Sequence, residues 1–132
     1  MMLGAIRRVT VSCTDLEAME RAYSVYLGYQ VSSRGTITQK EADAWGAPAM
    51  AGAANLCMQP AAGNDFEFRF VAGAAYPDYV PLTTYGWNAS EIMVENVDAM
   101  AEQVTNSPFE IVGVPRNLSF SDDIRAMQLR GP

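Results

Sequence analysis

Ile6–Tyr29, IRRVTVSCTDLEAMERAYSVYLGY, is the stretch whose reading decides the fold. Its first part alternates: Val9, Val11 and Cys13 fall on one side, Arg8, Thr10 and Ser12 on the other, as a strand with one apolar face requires. The period then changes. Thr14 and Glu17 have capping-box spacing, and Leu16, Met19, Ala22, Tyr23, Tyr26 and Leu27 recur at helical intervals before Gly28 ends the helix. A half-apolar strand therefore runs into an amphipathic helix able to cover its apolar side.

The unit recurs. Leu16-Glu17-Ala18-Met19 is answered by Val97-Asp98-Ala99-Met100 at an offset of 81 residues. The same offset sets Val11 and Cys13 on Ile92 and Val94, and Gly28–Val31 on Phe109–Val112. Asn96 is a good N-cap where the second helix would begin.

Outward from these units, Gln30 to Ile37 continues as a strand with a bend at Arg34-Gly35. Thr38-Gln39-Lys40-Glu41 is a second capping-box pattern, opening a short helix that Gly46 and Pro48 stop. A loop over 47–54, a short strand Asn55 to Gln59 and a turn at Pro60–Gly63 follow. In the strand Asp65 to Val71, Phe66, Phe68 and Phe70 share one face, and Glu67 and Arg69 the other. Residues 72–86, with three tyrosines and two prolines, form a joining loop expected to be packed. Then come a strand over Ser90 to Val94, a helix from Val97 to about Thr105, and strands near Glu110–Val114 and Ile124–Leu129. Ser121-Asp122-Asp123 reads as a turn.

At 132 residues and 49% apolar, the chain can bury a core as a single domain. A net charge of −6 disfavours nucleic acid as a partner. No apolar run reaches the roughly 18 residues of a membrane span, and the start shows no signal-peptide pattern. Two cysteines, Cys13 and Cys57, make no disulfide framework, so a reduced, cytoplasmic protein is expected.

VTVSCTDLEAMERAYSVYLGYQV resembles the opening unit of the vicinal oxygen chelate superfamily, the glyoxalase, bleomycin-resistance and extradiol-dioxygenase group. WNASEIMVENVDAM resembles the start of its second module. The resemblance implies an α+β fold: two tandem βαβββ modules forming a curved mixed sheet, or cup, with helices outside. Module 1 would span about 5–72, a linker 73–86, and module 2 about 87–132. The second module would be incomplete, because the chain reaches Arg130-Gly131-Pro132 where an eighth strand should follow. Two explanations are expected: a fragment of a longer protein, or a homodimer exchanging strands at the open edge.

By the same resemblance the polar strand face lines a pocket. Its residues would be Arg8, Thr10 and Ser12, Glu67 and Arg69, and Ala89, Glu91 and Met93, with Trp87 or Trp45 at the edge and Arg125 on the last strand. Superfamily enzymes usually hold a divalent ion through two histidines and two carboxylates. Here there is no histidine; Arg8 stands at the first position and Ala89 at its partner, so no metal and no cofactor are expected. Arg8 and Arg69 would instead face Glu67 and Glu91, either as a clamp for an anionic or aromatic small molecule or as a self-neutralised plug. Three function classes stay open. One is a metal-independent binder of the bleomycin-resistance kind. Another is a lyase, isomerase or dioxygenase relative with Glu67 or Glu91 as base and an arginine stabilising the enolate. The third is an interaction module of a longer chain.

Overall fold

The computed structural model describes residues 4–80 and 82–132; Pro81 of the joining loop lies outside them. The chain is mixed α+β and divides into two compact units, Met1–Pro77 and Asp78–Pro132, with the boundary inside the joining loop.

The first unit is a complete βαβββ module. Its elements are β1 (Arg8–Cys13), α1 (Leu16–Leu27), β2 (Tyr29–Thr36), α2 (Gln39–Ala44), a 3-10 turn at Pro48–Met50, β3 (Ala54–Pro60) and β4 (Glu67–Ala72). The strands form one sheet in the order β1-β4-β3-β2, with β1 and β4 parallel and the other pairs antiparallel. The register pairs Val9 with Phe68 and Val11 with Phe70 on one face, and Arg8 with Glu67 and Thr10 with Arg69 on the other.

The apolar face is the core, as the alternation predicts. Phe68, Phe70, Leu56 and Met58 are buried there with Met19 of α1 and Tyr29, and Val9, Val11 and Tyr23 pack against them. Tyr23 meets Phe70 and Phe68 edge-on at ring separations of 4.8 and 5.4 Å, which joins α1 to β4. Burial pushes the Tyr23 hydroxyl up to about 12, as expected of a core tyrosine. The helix start differs by one residue from the expected capping box. Asp15, not Thr14, is the N-cap, its Oδ1 accepting from the Ala18 N–H at 2.9 Å. Gly28 closes the helix in the left-handed conformation (φ 69°) that a side chain disfavours. The predicted bend at Arg34-Gly35 is also corrected. Both residues pair regularly with β3, and the irregularity falls at Ser32, an extra residue between the pairs Val31–Met58 and Ser33–Cys57.

The second unit contains α3 (Val97–Val104), β5 (Glu110–Leu118) and β6 (Ser121–Arg130), the strands pairing as a hairpin. The 81-residue repeat holds at the level of single atoms. Asn96 Oδ1 accepts from the Ala99 N–H at 3.0 Å, one repeat on from the Asp15–Ala18 cap, and β5 begins one repeat on from β2. Beyond that the copies diverge. The expected strand Ser90 to Val94 is irregular chain with no ladder partner among the described residues; strand propensity without a neighbouring strand does not suffice. Ser121-Asp122-Asp123 opens β6 instead of forming a turn, and residues 119–120 make the reversal.

The joining loop also departs from expectation. Tyr76, Tyr79 and Tyr85 are exposed rather than packed. From Val80 to Asn88 short-range polar bonds shape it instead, including Thr83 Oγ1 to the Val80 carbonyl (2.7 Å) and Asn88 Nδ2 to the Thr84 carbonyl (2.8 Å). No helix among the described residues is long and apolar enough to cross a membrane.

Two substitutions test this core. Phe70→Ala should lower the unfolding free energy by about 3–5 kcal/mol, and Asp15→Ala by about 1 kcal/mol, both read from urea denaturation. A Phe70→Ala loss below about 1 kcal/mol would place the core elsewhere.

Candidate functional site

The polar face of the first sheet gathers Arg8, Thr10 and Ser12 from β1 and Glu67 and Arg69 from β4, as the period-two reading predicts. Strand spacing sets Glu67 and Arg69 about 7 Å apart along β4, so each has its own surroundings.

At Glu67, the Arg8 guanidinium lies directly across the ladder and forms a close ion pair with the carboxylate. The Ser32 hydroxyl donates to Glu67 Oε2 at 3.4 Å. Ser32 reaches it from the β2 bulge, a contact that sequence periodicity gave no sign of. Beside the pair opens a cavity of about 320 Å³ lined by Arg7, Arg8, Gln59, Asp65, Phe66 and Glu67. Arg7 is itself paired with Asp65.

At Arg69 the expected pairing with Glu67, its neighbour on the same face of β4, is replaced. The Arg69 Nη1–H donates to Glu41 Oε1 at 2.9 Å, and Nε–H donates to Thr10 Oγ1 at 3.3 Å. The guanidinium lies 4.6 Å from the Trp45 ring centroid, a cation–π contact. Arg69 is only 8% exposed, the one charged residue among the described residues buried to this degree. Burial of a guanidinium requires compensating partners, and α2 supplies them. Ile37 and Ala42 pack with Val71 on this side of β4, bringing Glu41 and Trp45 to Arg69.

Glu41 does two jobs. Its Oε2 accepts from the Thr38 N–H (3.0 Å) and Thr38 Oγ1–H (2.8 Å), completing the predicted capping box, while Oε1 accepts from Arg69. The Thr38 backbone and side-chain bonds, then the Arg69 bond, hold its carboxyl down at about 2. Glu41 was legible as a cap but not as the partner of Arg69, 28 positions away, because only the packing of α2 brings them together.

The expected second-module residues are in different settings. Glu91 and Met93 are exposed on irregular chain, Met93 98% so, and the strand that was to aim them does not form. Trp87 is equally exposed. Arg125, on β6, does not offer a spare guanidinium: Asp98 of α3 binds it through two oxygens at 2.7 and 2.8 Å, and Asn117 Oδ1 accepts at 3.3 Å. Cys13 and Cys57 are buried free thiols. Cys57 is the ladder partner of Arg69, and with no histidine in the chain it has no imidazole to activate it.

No family profile matches the sequence, and no curated protein matches it significantly. Solved structures do. A glyoxalase family protein from Bacillus cereus superposes with a TM-score of 0.63 at 16% identity, covering 99% of this chain and 89% of that one. A member of the glyoxalase/bleomycin resistance protein/dioxygenase superfamily from Sphaerobacter thermophilus gives 0.62 at 16% identity, covering 100% and 92%. The glyoxalase family protein from Enterococcus faecalis gives 0.61 at 14%, covering 100% and 93%. The chain has the glyoxalase fold.

The residues of this glyoxalase-fold chain do not fit the divalent ion of the vicinal oxygen chelate enzymes. Arg8, which the resemblance sets at the first-strand ligand position, offers only N–H donors and already holds Glu67, and Ala89, its partner by the 81-residue offset, has no ligating side-chain atom. Among the described residues no three His, Cys, Asp or Glu side chains are grouped so as to hold an ion.

The Glu41 clamp has a pH signature. A carboxyl lowered when folded adds stability that is complete above its ordinary value near 4.5 and is lost as pH falls toward 2. Carbon-13 NMR of the Glu41 carboxyl should therefore show a midpoint near 2, moving upward in Thr38→Val. A wild-type midpoint near 4.5 would break the clamp.

Proposed function

We propose that this protein is a metal-independent small-molecule binder with the glyoxalase fold, holding a small carboxylate-bearing, flat or aromatic molecule on the polar face of β1 and β4. The observation that carries the proposal is Arg69: a guanidinium buried to 8% exposure, backed by an indole and held by only one carboxylate oxygen and one hydroxyl. A structural plug would be expected to satisfy the planar fork bidentately. A cavity opens beside Glu67, which precedes Arg69 by one two-residue repeat on β4; Arg69 is not in its lining.

Catalysis by Glu67 is the second reading, favoured by the cavity at its side chain. Its weakness is that both oxygens are already engaged, Oε1 by Arg8 and Oε2 by Ser32, so a substrate proton would have to compete with those donors.

A thermal-shift screen of aromatic carboxylates against their neutral amides, with and without EDTA and added Zn2+, Ni2+ or Fe2+, tests the binder. The expected result is a rise in Tm with carboxylates, indifferent to EDTA, and a loss of affinity of about tenfold or more in Arg69→Lys. Binding that requires an added divalent ion, or that survives unchanged in Arg69→Lys, would contradict it.

A further inference from the structure

We infer that Glu41 occupies the carboxylate seat of Arg69 as a built-in substitute for the ligand, and that binding displaces it from the arginine. This deepens the binder reading and rests on it.

The argument starts from hydrogen-bond geometry. A guanidinium has five N–H bonds in a planar fork, and its best partner is a carboxylate presenting both oxygens along one edge. Among the described residues, Arg69 uses one N–H on Glu41 and one on Thr10. No buried side-chain nitrogen or oxygen among the described residues is wholly without a partner, so Nη2, which bonds neither Glu41 nor Thr10, keeps some contact with solvent. The seat is partly filled and still accessible.

Glu41 cannot complete it. Its second oxygen is tied to the Thr38 N–H and hydroxyl at 3.0 and 2.8 Å, and turning that oxygen to Arg69 would give up the reciprocal half of the α2 capping box. The carboxylate is thus constrained to a one-oxygen contact. A free carboxylate carries no such constraint and can present both oxygens to the fork. The two side chains also differ in exposure: Arg69 is 9% exposed and Glu41 38%. The part that has to move is the one already at the surface, and after leaving Arg69 it retains its Thr38 bonds. Trp45, packed on the guanidinium face, keeps the fork in plane during the exchange. No bond is made or broken covalently; one carboxylate replaces another.

The consequence is a site whose affinity is set by competition within the chain. Glu41→Gln removes the competing charge yet preserves the cap, since glutamine serves equally at this helix position. The coupling of a partly exposed pair predicts a gain in affinity of up to about fivefold.

The test is an NMR titration of wild type, Glu41→Gln and Arg69→Lys with sodium benzoate at fixed ionic strength, with benzamide as the neutral control. The Trp45 indole N–H and, where arginine is retained, the Arg69 Nε–H report binding. Saturable shifts with benzoate alone, tighter by several-fold in Glu41→Gln and weakened in Arg69→Lys, are the expected result. Equal affinity in wild type and Glu41→Gln, with loss in Arg69→Lys, would overturn the substitution by Glu41 and leave Arg69 as the seat. Absence of any saturable shift in both wild type and Glu41→Gln would remove the seat and the binder reading together.

Discussion

The parallel pairing of β1 with β4 is the constraint on which the first unit depends. It joins residues 59 positions apart and fixes, in one register, what lies on each side of the sheet. On one side the register aligns Val9 and Val11 with Phe68 and Phe70, giving α1 an apolar surface to cover. On the other it aligns Arg8 with Glu67 and Thr10 with Arg69. Because side chains alternate strictly along a strand, a slip of one residue would exchange the two sides. Aromatic packing therefore also sets the geometry of the charges. The core cannot rearrange its register without dismantling the polar face.

That face solves the problem of buried charge twice, in unlike ways. Arg8 is half exposed and meets its counterion directly across the ladder, where screening by water keeps the pair inexpensive. Arg69 is nearly enclosed and is compensated by three different groups: a helix-capping carboxylate, a hydroxyl and an indole face. The second arrangement makes α2 more than a connection between β2 and β3. Its short helix is held by a cap whose acid also reaches the sheet, so local helix chemistry and tertiary packing share one side chain.

What the sequence made legible was local or periodic. The alternation of β1 and β4, the amphipathic α1, the Thr38–Glu41 box and the Asn96 cap are all written within a few residues, and each forms. The 81-residue repeat was visible because the helix starts, Leu16–Met19 and Val97–Met100, are local signals that survive divergence; that their caps, Asp15 and Asn96, also match shows only in the structure. Features that need a distant partner were not legible. Ser90 to Val94 has strand-like residues but no strand to pair with, and the tyrosines at 76, 79 and 85 have apolar mass but no apolar surface over them. The pairing of Arg69 with Glu41 was hidden for a related reason: it depends on how α2 packs on the sheet, 28 positions away in sequence. Arg125, read only as a pocket residue, likewise gives its charge to Asp98 on α3, 27 positions away.

The extra residue in β2 has an implication for how this scaffold can vary. On either side of Ser32 the ladder with β3 is regular, with Val31 opposite Met58 and Ser33 opposite Cys57. Shortening the chain by that single position would let the strand run straight while leaving Phe68, Phe70 and Met58 in place. It would also withdraw the hydroxyl that touches Glu67. Length polymorphism at this point is a route by which related chains could retune a carboxylate while the architecture beneath it stays the same.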